Sequence, residues 1–82
     1  MDEQDILEGL KRHNIHAYKA LVLNYAEDMT VMAASLLKDD RKQAIKIVDS
    51  ILESLFNDAS RLTLPLDQYL TKEIQKACNS VQ

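Results

Sequence analysis

Asp40-Arg-Lys-Gln-Ala-Ile-Lys-Ile-Val-Asp-Ser-Ile-Leu-Glu-Ser-Leu-Phe56 carries its large apolar residues at Ile47, Val48, Ile51, Leu52, Leu55 and Phe56, with Ala44 one turn earlier. That spacing is the i, i+3, i+4, i+7, i+8 rhythm of a helix with one buried stripe. Asp40 stands where an N-cap is expected, with Gln43 three residues on as a capping-box partner. Asn57-Asp58 ends the helix, because short polar side chains compete with it for backbone hydrogen bonds. The opposite face carries Arg41, Lys42, Lys46, Asp49, Ser50 and Glu53.

Upstream, Lys38-Asp39 is a tight connection that makes the preceding segment an antiparallel neighbour. That segment predicts a helix from about Ile15 to Leu37, with Asn14 as its cap. Its apolar residues, among them Ala17, Leu21, Leu23, Tyr25, Met29, Val31 and Leu36, surround most of the circumference, as in a central helix packed by several neighbours. Asn24, Glu27, Asp28 and Thr30 weaken its middle and mark a place for a bend. Before it, Ile6, Leu7 and Leu10 predict a short helix over residues 3–12. Asp2, Glu3 and Asp5 lie at the positive end of that helix and Lys11-Arg12 at its negative end.

Downstream, residues 57–64 read as a loop and Pro65 as a first helical residue, where its missing N–H costs nothing. Leu66, Tyr69, Leu70, Ile74, Ala77 and Val81 form the stripe of a fourth helix. The chain thus predicts one all-α domain over residues 1–82, a compact domain of about four helices.

Composition agrees. Eighty-two residues with 46% hydrophobic content suit one small globular core, and a single Gly and single Pro leave little for hairpins. One cysteine, Cys78, excludes an internal disulfide framework and fits a reducing, cytoplasmic setting. The acidic start is unlike a signal peptide, and no apolar run approaches membrane-spanning length, so no membrane partner is expected. A net charge of −3 argues against wholesale wrapping of nucleic acid.

No catalytic constellation emerges. His13 and His16 straddle the expected cap and do not close a metal site by themselves, so they read as solvated helix-end histidines and no metal or cofactor is expected. The adjacent Glu27 and Asp28 point about 100° apart on a helix and read as a polar face. Cys78 reads as a small packing residue, and none of the serines sits in a nucleophile elbow. The expectation is a protein that is not an enzyme. Met29, Met32, Tyr18 and Tyr25 read as core. Lys72 and Lys76, four apart, share one face of the fourth helix with Gln75 and Asn79 close by.

The order of segments Ile6–Arg12, Ala17–Tyr25, Leu36–Asp39, Ala44–Phe56, Pro65–Leu70 and Ala77-Cys78 resembles region 2 of sigma-70-type RNA polymerase sigma factors, nearest to the extracytoplasmic-function group. The resemblance spans about Asp5 to Asn79 and implies a compact helical domain acting in transcription initiation. In that family the helix resembled by Ala44–Phe56 meets the clamp coiled coil of the largest polymerase subunit. The helix resembled by Pro65–Asn79 helps melt and read the promoter minus-ten element.

By position, the resemblance makes Lys46, Asp49, Ser50 and Glu53 the polymerase-facing set, and Lys72, Gln75, Lys76 and Asn79 the DNA-facing set. Several of these differ from the family pattern. Ile45 and Lys46 follow Ala44 where acidic residues are usual, Asp49-Ser50 replaces a Gln-Glu pair, and Gln75-Lys76 replaces an Arg-Asn pair. The second, helix-turn-helix domain of the family has no counterpart in these 82 residues. Two readings follow. One is an initiation module that binds polymerase core and promoter DNA. The other is a stand-alone regulatory protein that binds an anti-sigma factor or a second copy of itself without DNA. Ile45, Val22 and Leu62 are apolar residues left over to seal such a homodimer.

Overall fold

The computed structural model describes residues 2–81, without the Val81 side chain, so the expected place of Val81 in the fourth stripe lies outside the described residues. Four helices follow one another: α1 (Glu3–Lys11), α2 (Ile15–Leu36), α3 (Arg41–Asn57) and α4 (Leu66–Val81). The fold is all-α, as the periodicity predicts.

The ends of α1 and α2 and the start of α3 have local causes. Asp2 caps α1, its carboxylate accepting from the Asp5 N–H at 2.9 Å. α1 ends in a paired carbonyl–amide closure: the Asn14 N–H reaches the Gly9 carbonyl at 2.8 Å and the His13 N–H the Leu10 carbonyl at 3.1 Å. His13 holds the left-handed position (φ 56°) that glycine usually fills in this motif. Asn14 then caps α2 at once, accepting from the His16 N–H at 2.9 Å.

α2 ends with the longer-range of these two bonds. The Asp39 N–H reaches the Ala34 carbonyl at 2.7 Å, with Lys38 and Asp39 both at positive φ. Asp40 caps α3 through the Gln43 N–H at 3.1 Å. The reciprocal half of the capping box is not made, because the Asp40 N–H donates instead to the Leu37 carbonyl at 3.3 Å. Pro65 also departs from expectation. It sits one position before α4, and its carbonyl accepts from the Tyr69 N–H at 3.2 Å.

α2 is central and touches the other three helices. It runs antiparallel to α3: Tyr18, near its start, meets Phe56, near the end of α3, with ring centroids 5.0 Å apart. α1 approaches α2 closely at Gly9, where a Cβ would run into that of Ala17. α4 lies along the far half of α2, its Cys78 thiol 4.0 Å from the Ala33 carbonyl. The core gathers Ile6 and Leu10 from α1, Leu21 and Met29 from α2, Val48, Leu52 and Leu55 from α3, and Leu66, Leu70, Ile74 and Cys78 from α4. Tyr18, Tyr25 and Met32 pack against its edge, as read from their spacing.

Two expectations need correction. α2 is not covered all round: Leu23, Val31 and Ile15 are exposed, since three neighbours leave one face of a central helix open. Its polar middle lies within a continuous helix, where the Thr30 hydroxyl bonds back to the Ala26 carbonyl at 2.8 Å. Leu62 is not left over for a partner. With Ala59 it is buried and pins the loop between α3 and α4 to the core. Of the other two residues, Val22 is half-buried and Ile45 exposed.

Candidate docking faces on α3 and α4

Lys46, Asp49, Ser50 and Glu53 are all exposed, and at 100° per residue they fall within about 100° of the α3 surface. The structure therefore brings the four together on one face, with Lys42 extending it toward the N-terminus. The order of charge along this face is informative. Lys42 and Lys46 occupy the N-terminal half, Asp49 and Glu53 the C-terminal half. A helix is stabilised by the opposite order, acids at its positive N-terminus and bases at its negative C-terminus. Lys42–Lys46 and Asp49–Glu53 are also like-charge pairs at i, i+4, which cost a helix a few tenths of a kcal/mol each. Lys46 and Asp49, three apart and opposite in charge, offset part of that cost, but the order of charge toward the two ends of the face still runs against the helix dipole.

The flank of the same face carries Tyr18 and Phe56, stacked at a tilt. Burial pushes the Tyr18 phenol up from its ordinary pKa, and the nearby Glu53 and Asp49 carboxylates push the same way. His13 closes this end of the domain. Its Nδ1–H donates to the Phe56 carbonyl at 2.9 Å, and its ring meets the Phe56 ring edge-on at 6.0 Å. The expectation of a merely solvated His13 is corrected: it ties the α1–α2 turn to the last turn of α3, satisfying a helix-end carbonyl. His16 is exposed.

Lys72, Gln75, Lys76 and Asn79 are likewise exposed and fall within about 100° of the α4 surface. They form one strip, but Asp67 and Glu73 lie on the same helix, so two lysines make a short and partly neutralised track.

Between the two helices lies an open groove of about 330 Å³, with Ile51 and Leu55 as its floor and Ser50, Ser54, Asp58, Arg61, Tyr69 and Glu73 around it. Tyr69 is half-buried there. Burial, a hydrogen bond from its hydroxyl to the Glu73 carboxylate and the charge of that carboxylate push its pKa up to about 12. Asp58, at the groove's end, is held below the ordinary carboxylate range by the Ser60 hydroxyl and N–H, with Arg61 and His13 adding to the effect. The Tyr69–Glu73 pair was not anticipated from sequence, although its i, i+4 spacing on α4 is the signal that carries it.

Cys78 is buried, and burial raises its pKa, consistent with a packing role. Among the described residues no group of three His, Cys, Asp or Glu side chains could hold a metal ion, and no helix is long and apolar enough to cross a membrane. No protein-family model, no curated protein and no solved structure matches this chain.

Proposed function

We propose that this domain is a protein-docking module of the sigma region-2 type, acting in transcription through contacts rather than catalysis. The exposed face of α3, centred on Lys46, Asp49, Ser50 and Glu53, is its docking surface, and the clamp coiled coil of RNA polymerase core is the partner. The observation that supports this reading is the charge order along α3. Bases lie toward the N-terminus and acids toward the C-terminus, against the preference of the helix itself. Charges that work against their own helix are accounted for by an outside partner with the complementary order, since charge complementarity sets orientation and specificity in protein interfaces.

Calorimetric titration against polymerase core, or its isolated clamp coiled coil, tests the reading. Binding at micromolar affinity or tighter, about −8 kcal/mol, with loss in Asp49→Arg at unchanged helicity, is the expected result. No binding by the unaltered chain would overturn it.

A second reading adds promoter minus-ten DNA, favoured by the coincidence of Lys72, Gln75, Lys76 and Asn79 on one exposed strip of α4. Removing both lysines should lower single-strand affinity and reduce the salt slope by about 1.4, at roughly 0.7 per phosphate contact. An unchanged slope would remove DNA from the function and leave the α3 face as a surface for a protein partner alone, polymerase core or, in the regulatory alternative, an anti-sigma factor or a second copy.

A further inference from the structure

The exposed side of α2 follows one ridge of the helix, with Ile15, Lys19, Leu23, Glu27 and Val31 each four residues apart. Leu23 is 84% exposed, Val31 53% and Ile15 47%. Successive members advance about 6 Å along the axis, so the ridge runs about 24 Å. Apolar side chains this open, in a row on the central helix of a small domain, are the largest uncovered apolar feature of α2.

The chemistry of the ridge is self-complementary about its midpoint. From the N-terminus it reads apolar, cation, apolar, anion, apolar, and reversed it reads apolar, anion, apolar, cation, apolar. We propose that a second copy of this chain docks on this ridge, with the two α2 helices antiparallel and related by a two-fold axis at Leu23. Leu23 then meets its own copy and Lys19 of each protomer meets Glu27 of its partner, while Ile15 and Val31, each turned about 80° from Leu23 around the helix, flank the contact at its rim.

A parallel arrangement would set lysine on lysine and glutamate on glutamate, so the charges select the antiparallel one. Lys19 and Glu27 lie about 12 Å apart along their own helix, too far to pair within it. Neither has an ion-pair partner among the described residues. Ala20 and Ala26, three residues to either side of Leu23 and half-buried, let the two helix axes approach. The arrangement is isologous, as expected for a two-fold homodimer. A ridge on one helix covers less than the roughly 800 Å² per partner of a standard interface, so the association is in the micromolar to submillimolar range. The surface is on a different helix from the α3 face and does not depend on the function proposed for that face.

Sedimentation equilibrium of the full chain over about 1 μM to 1 mM tests the proposal. The expected result is a reversible monomer–dimer equilibrium that Leu23→Asp shifts to monomer at every concentration, with helicity unchanged. Lys19→Glu and Glu27→Lys should each weaken self-association about tenfold or more. Mixed together they should form a heterodimer, because one then presents only acids on the ridge and the other only bases. The double variant Lys19→Glu with Glu27→Lys should recover the homodimer. Should Leu23→Asp lose helicity, the charge exchange carries the test alone. A chain that stays monomeric to the top of the range, or a charge-exchange pair that fails to associate, would overturn the proposal.

Discussion

The Glu3 carboxylate accepts a hydrogen bond at 3.0 Å from the backbone N–H of Leu66, 63 residues away. Glu3 is in the first turn of α1 and Leu66 is the first residue of α4. Pro65, which precedes α4, has no side-chain acceptor to cap it. The cap is therefore supplied by another helix, and its negative charge also lies at the positive end of α4. The contact ties the beginning of the chain to its last helix.

Glu3→Ala should destabilise the domain by about 1 kcal/mol, the usual worth of an N-cap acceptor. For a domain of this size that is a fall in Tm of roughly 4–8 °C. Glu3→Gln, which keeps an acceptor oxygen and loses the charge, should recover most of the difference. Equal losses in the two variants, measured by thermal melts, would show that the charge matters more than the hydrogen bond.

Gly9→Ala should cost about 1–3 kcal/mol, the range for overpacking a tight contact. The new methyl group would meet the Ala17 side chain, and neither helix can retreat without opening the buried contacts of Ile6 and Leu10. Adding Ala17→Gly should restore part of the loss. Chemical denaturation of the two single variants and the double variant measures the coupling.

His13 and Lys38 both occupy left-handed helix-end positions, and they should respond differently to glycine. Relief of the backbone penalty is worth about 1 kcal/mol at each. At Lys38, whose side chain makes no hydrogen bond among the described residues, Lys38→Gly should stabilise by about that amount. At His13 the same gain is offset by loss of the bond to the Phe56 carbonyl, a net contribution of about 1 kcal/mol. His13→Gly should therefore be close to neutral, and His13→Ala destabilising. Denaturation midpoints distinguish the three.

Alkaline pH should weaken the fold. Tyr69 has a folded pKa of about 12 against an ordinary value of 10.0, and Tyr18 and Tyr25 are raised in the same direction by burial. A group whose folded pKa is raised contributes stability fully present below the unfolded value. That contribution is lost as pH climbs through the folded one. Stability should hold up to about pH 10 and fall between there and pH 12. In a phenolate absorbance titration, Tyr69→Phe should remove the latest-titrating component and Glu73→Gln should bring it forward. A titration unaffected by Glu73→Gln would leave burial as the sole cause.

The candidate faces were legible to the extent that periodicity makes them so. Lys46, Asp49, Ser50 and Glu53 share one side of α3 because 3.6 residues per turn put them there, and the α4 strip follows for the same reason. The groove between the two helices was not legible. It depends on α3 and α4 lying near each other, so that Ser54 lines it from one helix and Tyr69 and Glu73 from the other, which no spacing within a single helix encodes.

The four helices and nearly all their ends were determined by the sequence alone, because a helix is written in contacts no more than four residues apart. The stripe from Ala44 to Leu55, the Asn14 and Asp40 caps and the stop at Asn57-Asp58 are of this kind. Tertiary structure decided which apolar residues found a neighbour. Leu62 went inside while Leu23 stayed in water, although both are leucines in favourable local contexts. It also decided the two long-range ties, Glu3 to Leu66 and His13 to Phe56, which join residues 63 and 43 positions apart. Such pairs leave no periodic trace in the chain; they exist only once α2 has been packed between its neighbours and the free ends of α3 and α4 have come within reach of α1 and its turn.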